Sequence, residues 1–439
     1  MTHTAEQPSA QRGRHAMAVS SMKLIAAGAI VQGLSFLLLP VIGRIYSQSE
    51  IGQITVFLSL VGVLSIIATG RYDQATVLAR SKERSLLLLF SSLRFNLIVC
   101  SILVPAVLII NPLLAGSRYS AQQYHLYLLP LFVFFAAGMV ALFSWANSHN
   151  QYGRMSLSQI SQGVTNSGLR IGFGLLGMGF WGLQLSALLG GLMSIIPLAY
   201  RRSLYAQYKR HITRRRLRIA AGTYANFPRY SLPQAVIDIL SGSLVSILLP
   251  LQYHDAVVGL YGMAYMLAGR PMQLISDSLS RVWFRRVAEH KNADQSFYRP
   301  VRRFTIIWLL LSIVGSAVLL FILEPIVSFV LGEKWRLCSL VIMAMLPYFI
   351  FNMLSSVFNF LPDLFGLQRK FMRMQALLLL LQLVVILVGT RMLAFEDYMW
   401  LHFGERALDS LIQLVWFLTI IRTYENGLRL RPSHPRQGD

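Results

Sequence analysis

The sequence predicts an all-α integral membrane protein: about 12 transmembrane helices in two six-helix lobes around a central cavity, with N- and C-termini cytoplasmic. Composition, long apolar stretches and the distribution of basic residues support this fold class. Hydrophobic residues make up 55% of the chain and charged residues 13%, whereas soluble domains carry about 25% charged residues. Because lipid cannot hydrogen-bond an open strand, each spanning segment is expected to be a helix.

Apolar stretches of about 20 residues, the length that crosses the hydrocarbon core as a helix, recur along the chain. The fifth and sixth are separated only by the short turn at residues 177–179, and all the loops predicted to be periplasmic are short. The predicted spans are 22–42, 51–70, 86–110, 124–146, 156–177, 180–200, 231–250, 256–280, 304–323, 338–361, 374–394 and 399–421.

Basic residues alternate from loop to loop. The 40 Lys and Arg residues lie mostly in the even-numbered loops and in the two tails. Since cytoplasmic loops retain Lys and Arg, this bias places both ends in the cytoplasm of a multi-pass bacterial inner (plasma) membrane protein. The odd-numbered loops and the span ends beside them contain only Arg44, Arg118, Lys334, Arg336 and Arg391. The basic residues that lie deep inside spans are Arg94, Arg170, Arg270 and Arg406.

The longest predicted inner segment divides the chain into six spans and six spans. Its cluster at residues 214–218 is read first as a topology anchor, with contact to anionic membrane lipids as the alternative. The predicted divisions are a cytoplasmic tail at 1–21, an N-lobe at 22–200, a basic linker at 201–230, a C-lobe at 231–421 and a cytoplasmic tail at 422–439.

Weak internal repetition links the two halves. Leu38-Leu39-Pro40 is followed by Tyr46 and then by Ile51-Gly52, and Leu248-Leu249-Pro250 is followed by Tyr253 and Val258-Gly259. Both halves begin in the cytoplasm and contain an even number of spans, which predicts parallel repeats. A central cavity and alternating access by rocking of the lobes are therefore expected.

Several function classes are disfavoured. The formal net charge of +22 is spread over every second loop, so no nucleic-acid partner is predicted. The sequence contains no Gly-rich phosphate-binding loop and no metal-ligand spacing among its His and Cys residues. Short outer loops leave little room for a catalytic domain. We therefore predict a protein that is not an enzyme, with no cofactor.

Polar residues inside the spans are the candidate site, because a charge in hydrocarbon costs at least about 2.5 kcal/mol. Arginines facing a cavity could bind phosphate through a bidentate fork, and a buried acid could carry a coupling proton. A structural ion pair, or a side chain that snorkels to the headgroups, explains most of these charges as well as a functional role does. For Arg94 these structural explanations are favoured over a functional role. These residues are Arg94, Arg170, Arg270, Asp238 and Asp277, with Gln32, Gln162 and Asn166 as polar neighbours.

The inner end of the second span carries a distinctive stretch, Gly70-Arg71-Tyr72-Asp73, followed by Leu-Ala-Arg-Ser-Lys at 78–82. Together with the opening hairpin, this stretch resembles the polysaccharide-biosynthesis (O-antigen, lipid-linked oligosaccharide) flippases of the multidrug/oligosaccharidyl-lipid/polysaccharide exporter superfamily. The motif resemblance covers about residues 22–90. Arg71 and Asp73 match the family stretch directly.

The resemblance implies a flippase that moves an undecaprenyl-pyrophosphate-linked oligosaccharide, such as an O-antigen, capsule or exopolysaccharide unit, from the cytoplasmic to the periplasmic leaflet. It also implies an ion gradient as the energy source, and a glycan polymerase and chain-length regulator as possible partners. Only Arg71 and Asp73 are assigned from the resemblance; the other candidates follow from their positions inside spans. The residues predicted to bind substrate are Arg71, Arg94, Arg170, Arg270, Gln32, Gln162 and Asn166, and those predicted to couple ions are Asp73, Asp238 and Asp277. A multidrug cation/proton antiporter and a lipid-linked peptidoglycan-precursor flippase remain alternatives.

Overall fold

A computed structural model describes residues 23–24, 26–79, 81–113, 123–199 and 213–430, and these residues are helical with short connections and no strand. The predicted tail at 1–21, linker residues 201–212 and residues 431–439 lie outside this description. The helices are α1 Ala26–Ile45, α2 Gln48–Thr69, α3 Tyr72–Leu78, α4 Lys82–Leu113, α5 Gln123–Leu126, α6 Leu129–Ser148, α7 Tyr152–Leu175, α8 Gly179–Ala199, α9 Arg214–Thr223, α10 Leu232–Leu248, α11 Asp255–Ala264, α12 Arg270–Asn292, α13 Tyr298–Leu331, α14 Leu337–Val357, α15 Leu361–Leu364, α16 Gln368–Met392 and α17 Phe395–Leu430.

Each of the twelve predicted spans coincides with helical structure. Among the described residues, ten helices are both long and apolar enough to cross a membrane. The two remaining spans are α7 and the α11–α12 segment, which are long enough but too polar. These are the spans that contain Arg170 and Arg270, so the predicted all-α membrane fold is confirmed with two unusually polar helices.

The contacts within the chain form two compact units, residues 1–259 and 260–439. In the first unit α2 packs against α4, α6, α8 and α10, and α7 pairs closely with α8. In the second unit α17 packs against α14 and α16. The packing of α10 on α2 joins that helix to the first unit, whereas the sequence analysis groups residues 231–421 together; the lobe boundary within 201–230 stays a prediction.

An aromatic core closes the end of the second unit that is predicted to be cytoplasmic. Trp283 and Val287 of α12 are buried in it, whereas Val282 and Phe284 on the same helix are exposed. The basic part of α12 that follows the eighth span therefore continues the helix of that span, and its one apolar face packs into the aromatic core. The buried aromatic members of this core are Trp283, Phe297, Phe358, Phe371 and Phe417.

A π-helical turn interrupts the eighth span at Tyr265–Gly269, immediately before Arg270 and Pro271. Proline has no amide hydrogen and its ring clashes with the carbonyl four residues earlier, so a helix widens or kinks just before it. Widened turns of this kind are frequent at functional sites. The irregular backbone thus falls beside Arg270, one of the arginines that insertion into the membrane does not explain.

Two glycines bring α2 and α11 into direct backbone contact near the first and seventh loops, which are predicted to be periplasmic. A Cβ atom on Gly52 would lie 2.0 Å from the carbonyl oxygen of Asp255, and one on Gly259 would lie 1.8 Å from that of Gln48. Gln48 and Asp255 each precede their glycine by four residues, so the contact is reciprocal. The two repeated sequence segments therefore lie at the beginnings of α2 and α11, and these two helix ends cross each other within the first unit.

Polar contacts hold this crossing in register. The Gln53 Nε2 amide donates a hydrogen bond to Oδ2 of Asp255 over 3.0 Å. Ser47 and Glu50 form a reciprocal capping box that fixes the start of α2. We call the contact formed by Gln48, Gly52, Gln53, Asp255 and Gly259 the outer crossing.

Adding a methyl group at the outer crossing should destabilise the protein. Gly259→Ala places Cβ on a backbone carbonyl, so the helices must separate, and the unfolding temperature in detergent should fall. The control is Gly315→Ala on α13, where a Cβ meets nothing within 4 Å and the higher helix propensity of alanine contributes up to about 1 kcal/mol. Equal unfolding temperatures for the two variants would show that the close contact is absent.

Candidate functional site

The polar face of α7 is largely used to pack against α8. The Ser158 hydroxyl donates to the Ser194 carbonyl over 2.7 Å, and the Ser161 hydroxyl donates to the Met193 carbonyl over 3.1 Å. A Cβ on Gly190 would lie 2.9 Å from Cβ of Asn166. Small residues and interhelical hydrogen bonds of this type associate membrane helices, so helix packing accounts for part of the polarity of α7.

Two predicted substrate residues lie on or beside this interface. The Gln162 carbonyl would lie 3.2 Å from a Cβ on Gly190, which places Gln162 in the same packing layer as Asn166. The Oδ1 atom of Asn166 is buried and accepts no hydrogen bond from the described residues. A buried amide oxygen in this state is a position where a ligand or water can bind.

The N-terminal helix α1 also packs against α7. A Cβ on Gly163 would lie 2.2 Å from Cγ1 of Val31, so the two helices are in close contact one residue away from Gln32. Gln32 itself is half-buried. The Oε1 atom of Gln159, one turn before Gly163, is buried and accepts no hydrogen bond from the described residues. The α1–α7 contact thus adds a second buried amide oxygen near the predicted site.

Arg170 lies in the last third of α7, close to the first loop. The Tyr46 hydroxyl donates a 2.7 Å hydrogen bond to the Arg170 carbonyl, and Tyr46 is 1% exposed. The Arg170 side chain is half-buried and lies within electrostatic reach of the Tyr46 hydroxyl. The structure therefore fixes Arg170 near the outer crossing, at the side predicted to be periplasmic.

The Gly70-Arg71 pair forms a sharp corner between α2 and α3. Both residues are left-handed, with φ angles of 56° and 58°, a conformation that costs a non-glycine residue about 1 kcal/mol. A Cβ on Gly70 would lie 2.9 Å from the Phe95 ring. The Tyr72 hydroxyl donates to the Ala221 carbonyl over 3.4 Å, so the corner also packs beneath α9.

Charged atoms are buried at this corner. Asp73 is 5% exposed, and within the described part of the chain its Oδ1 atom accepts no hydrogen bond, while Nε of Arg71 donates none. The two side chains form no salt bridge with each other or with other described residues. Buried charged groups with unsatisfied hydrogen-bonding atoms, beside a strained backbone turn, are typical of functional sites rather than of simple helix ends.

The remaining predicted site residues are exposed. They are Arg94 on α4, Asp238 on α10, and Arg270 and Asp277 on α12. Arg270 lies within electrostatic reach of Tyr265, and Asp277 within reach of Arg281. Because a charged side chain facing hydrocarbon is costly, exposed charges within spans are expected to face water.

One cluster of ionisable residues, on α17, is not among the predicted site residues. His402, Glu405, Arg406 and Asp409 follow one another at helical spacing and therefore lie on one helical face. His402, Glu405 and Asp409 are 2%, 8% and 1% exposed. The sequence shows this spacing, but it predicts only Arg406 as a cation inside a span.

Comparison with solved structures identifies the fold. The chain is similar to an inward-facing multidrug resistance MATE family transporter of the MOP superfamily (TM-score 0.64, 15% identity, covering 90% of this chain and 95% of that one). It is also similar to the lipid II flippase MurJ in an inward closed conformation (TM-score 0.64, 14% identity, 94% and 92% covered). A third similar structure is a MOP superfamily transporter from Pyrococcus furiosus (TM-score 0.52, 14% identity, 93% and 96% covered).

The fold is thus that of this superfamily of multi-pass inner-membrane proteins, which have about 12 helices in two lobes. A family model described as polysaccharide biosynthesis protein matches residues 41–340. The chain belongs to this family, and the resemblance inferred from the Gly-Arg-Tyr-Asp stretch is confirmed. No curated protein matches the chain.

Substitution of Arg71 should reveal the strain at the corner. Arg71→Gly and Arg71→Ala both remove the guanidinium group, but only glycine adopts φ 58° without steric cost. We expect Arg71→Gly to be more stable than Arg71→Ala by about 1 kcal/mol, measured by thermal or denaturant unfolding in detergent. If Arg71→Ala were the more stable variant, the left-handed conformation of residue 71 would be wrong.

Proposed function

We propose that the protein is a flippase that translocates an undecaprenyl-pyrophosphate-linked oligosaccharide from the cytoplasmic to the periplasmic leaflet of the inner membrane. The supporting observation is the set of arginines inside membrane spans, because guanidinium groups bind diphosphates through paired hydrogen bonds. Membership of a polysaccharide biosynthesis family supports a glycan as cargo. A solved structure with the same fold is that of a lipid II flippase.

The substrate would be bound by its charged and polar parts, while its polyprenyl chain stays in lipid. We assign pyrophosphate binding to Arg71, Arg170 and Arg270, with Arg94 guiding the headgroup on the cytoplasmic side. Gln32, Gln162 and Asn166 would hydrogen-bond to the cargo from the α1–α7–α8 region. Two of these arginines lie on the polar helices α7 and α12, whose composition fits a surface lining water rather than lipid.

Movement of the cargo would follow alternating access. The outer crossing would close the periplasmic side while substrate enters from the cytoplasm, and its glycine contacts would separate when the site opens outward. An ion gradient would drive the cycle through Asp73, Asp238 and Asp277. The basic segment at 214–218 would contact anionic lipids, and a glycan polymerase and a chain-length regulator would act on the delivered cargo.

A multidrug cation antiporter is the second candidate function, and the similar MATE transporter structure favours it. A cationic drug requires acidic groups in its site, whereas the spans that are too polar for lipid supply arginines here.

A peptidoglycan-precursor flippase is the third candidate function, since its substrate shares the pyrophosphate and polyprenyl groups. Deletion of the gene separates the three: loss of a surface glycan supports our proposal, whereas drug sensitivity or lysis with the glycan intact supports an alternative.

Removal of the arginines assigned to substrate binding should impair export without loss of protein. In a deletion strain complemented with Arg170→Ala, Arg270→Ala or Arg71→Gly, we expect the surface glycan to fall while membrane abundance stays at the wild-type level. The control is Arg285→Ala, because Arg285 lies beyond the eighth span with its side chain 83% exposed, and pairs with Glu289. Wild-type glycan levels in all three variants would refute a role in substrate binding.

Covalent closure of the outer crossing should stop transport. Gln53→Cys combined with Asp255→Cys replaces a 3.0 Å hydrogen-bonded pair, and the natural residues Cys100 and Cys338 are buried. A short bifunctional thiol reagent should abolish export by the double variant, and a reductant that cleaves the reagent should restore it. Each single variant treated in the same way is the control. Undiminished export after complete crosslinking would show that the helices need not separate.

A further inference from the structure

A second set of ionisable side chains is buried in the second unit, within the last span. His402, Glu405, Arg406 and Asp409 share one face of α17, the helix that packs against α14 and α16, and three of the four are buried. Arg406 Nη1 lies 3.4 Å from Oδ2 of Asp409, and Nδ1 of His402 lies 3.9 Å from Oε2 of Glu405. None of these residues belongs to the substrate or ion-coupling set assigned above.

The charges in this cluster do not balance when both acids are ionised. Arg406 supplies one positive charge against the two carboxylates of Glu405 and Asp409. A buried charge without a partner is costly, and such a site gains by binding one compensating positive charge. One proton on either carboxyl group would make the cluster neutral.

The two acids also interact with each other. Glu405 and Asp409 are four residues apart on the same face of α17, and their side chains lie within electrostatic reach of each other. An ionised carboxylate can only accept hydrogen bonds, so two neighbouring carboxylates can form a hydrogen bond only when one of them is protonated. Both Glu405 oxygens and Oδ1 of Asp409 are buried and accept no hydrogen bond from any donor in the described residues.

His402 supplies an independent observation. Its ring is 2% exposed, and Nδ1 faces Glu405 without a hydrogen-bond partner among the described residues. A histidine in this position can take a proton from, or pass one to, the neighbouring acid. The Tyr398 ring stacks on the imidazole at a centroid distance of 5.9 Å and fixes its orientation.

Side chains on the neighbouring helices contribute to the electrostatic environment of this cluster. The guanidinium carbon of Arg406 lies 5.6 Å from the centre of the Tyr348 ring of α14, and Tyr348 is within electrostatic reach of Arg406. Tyr261 of α11 and Tyr265 of the following π turn lie within electrostatic reach of Arg406. These facing groups are tyrosines, which are neutral at physiological pH, so Arg406 is the cation that sets the charge balance.

A metal ion fits the cluster less well than a proton. Metal cations need several converging oxygen or nitrogen ligands, and the described residues contain no group of three acidic, His or Cys side chains arranged to hold one. Arg406 lies against one of the two carboxylates and would repel a cation bound beside it. A proton needs only one carboxylate oxygen.

We propose that Glu405 and Asp409 form a proton-binding site in the second unit, with His402 as the relay and Arg406 as the fixed counter-charge. On binding, a hydronium ion transfers its proton to one carboxylate oxygen and leaves as water, and the new O–H donates to the other carboxyl group. The site is additional to the three aspartates assigned above. It deepens the proposed function, on which its role in driving transport rests.

Infrared difference spectroscopy of the purified protein in vesicles, recorded through a change of pH in choline buffer, tests the site without any transport. We expect a protonated carboxylic acid band in the wild type that disappears in both Glu405→Gln and Asp409→Asn. Glu396→Gln, at an exposed position at the start of the same helix, is the matched control and should keep the band. Retention of the band in both site variants would overturn the proposal, as would its loss on addition of sodium at constant pH.

The same variants separate failure of this proposal from failure of the flippase proposal. With the wild-type band assigned to the pair, loss of surface glycan in both variants supports proton coupling. If no glycan depends on this gene, the band still identifies the site although the flippase proposal fails. If the glycan depends on the gene but both variants export normally, coupling through this pair is refuted. Helical content and size-exclusion profile establish folding, and a variant that misfolds is replaced by the other.

Discussion

The absence of hydrogen-bonding partners in hydrocarbon is the constraint on which this structure depends. It requires helices throughout the membrane, and it directs hydroxyl groups back to carbonyls of their own helix, as for Ser35 to Val31 and Thr55 to Ile51. It also restricts breaks in the helices to places where proline has removed a donor already. The widened turn before Pro271 is an example.

The same constraint gives meaning to the polar groups that remain. On α7, two serines bond to carbonyls of α8, and this packing satisfies much of the polarity of the helix. Arg71, Asp73 and Glu405 are different, because each retains a buried polar atom without a hydrogen-bond partner in the described residues. Such atoms lower the stability of a folded core, but they are available to bind and release a charged cargo.

Much of the fold could be predicted from the sequence because insertion into a membrane is governed by local composition. Segment length, hydropathy and the position of Lys and Arg located helices at all twelve predicted spans, and ten described helices are long and apolar enough to cross a membrane. Hydropathy alone is weaker, since α7 and α12 are too polar to be recognised by it, and the basic loops on either side predict them. The repeated Leu-Leu-Pro and Gly positions indicated equivalent hairpins, yet the sequence could not show that Gly52 and Gly259 meet.

The candidate site was less predictable because it depends on side-chain packing. The sequence located Arg170 within a span, but its bond to Tyr46 joins residues 124 positions apart. The left-handed Arg71 has no sequence signal, because arginine rarely adopts that conformation. The cluster on α17 was not predicted for another reason: its residues become a site only when charges on one helical face are considered together, and each charge alone resembles a structural ion-pair partner.

A flipping assay with purified protein tests the central claim most directly. The protein would be reconstituted into vesicles that hold a polyprenyl-pyrophosphate-linked oligosaccharide in both leaflets, with a glycosidase outside. Under an imposed proton gradient, the flippase account predicts that the protected inner pool becomes accessible and is cleaved nearly completely, whereas protein-free vesicles retain about half. An inner pool that stays protected in vesicles with correctly folded protein would contradict the account.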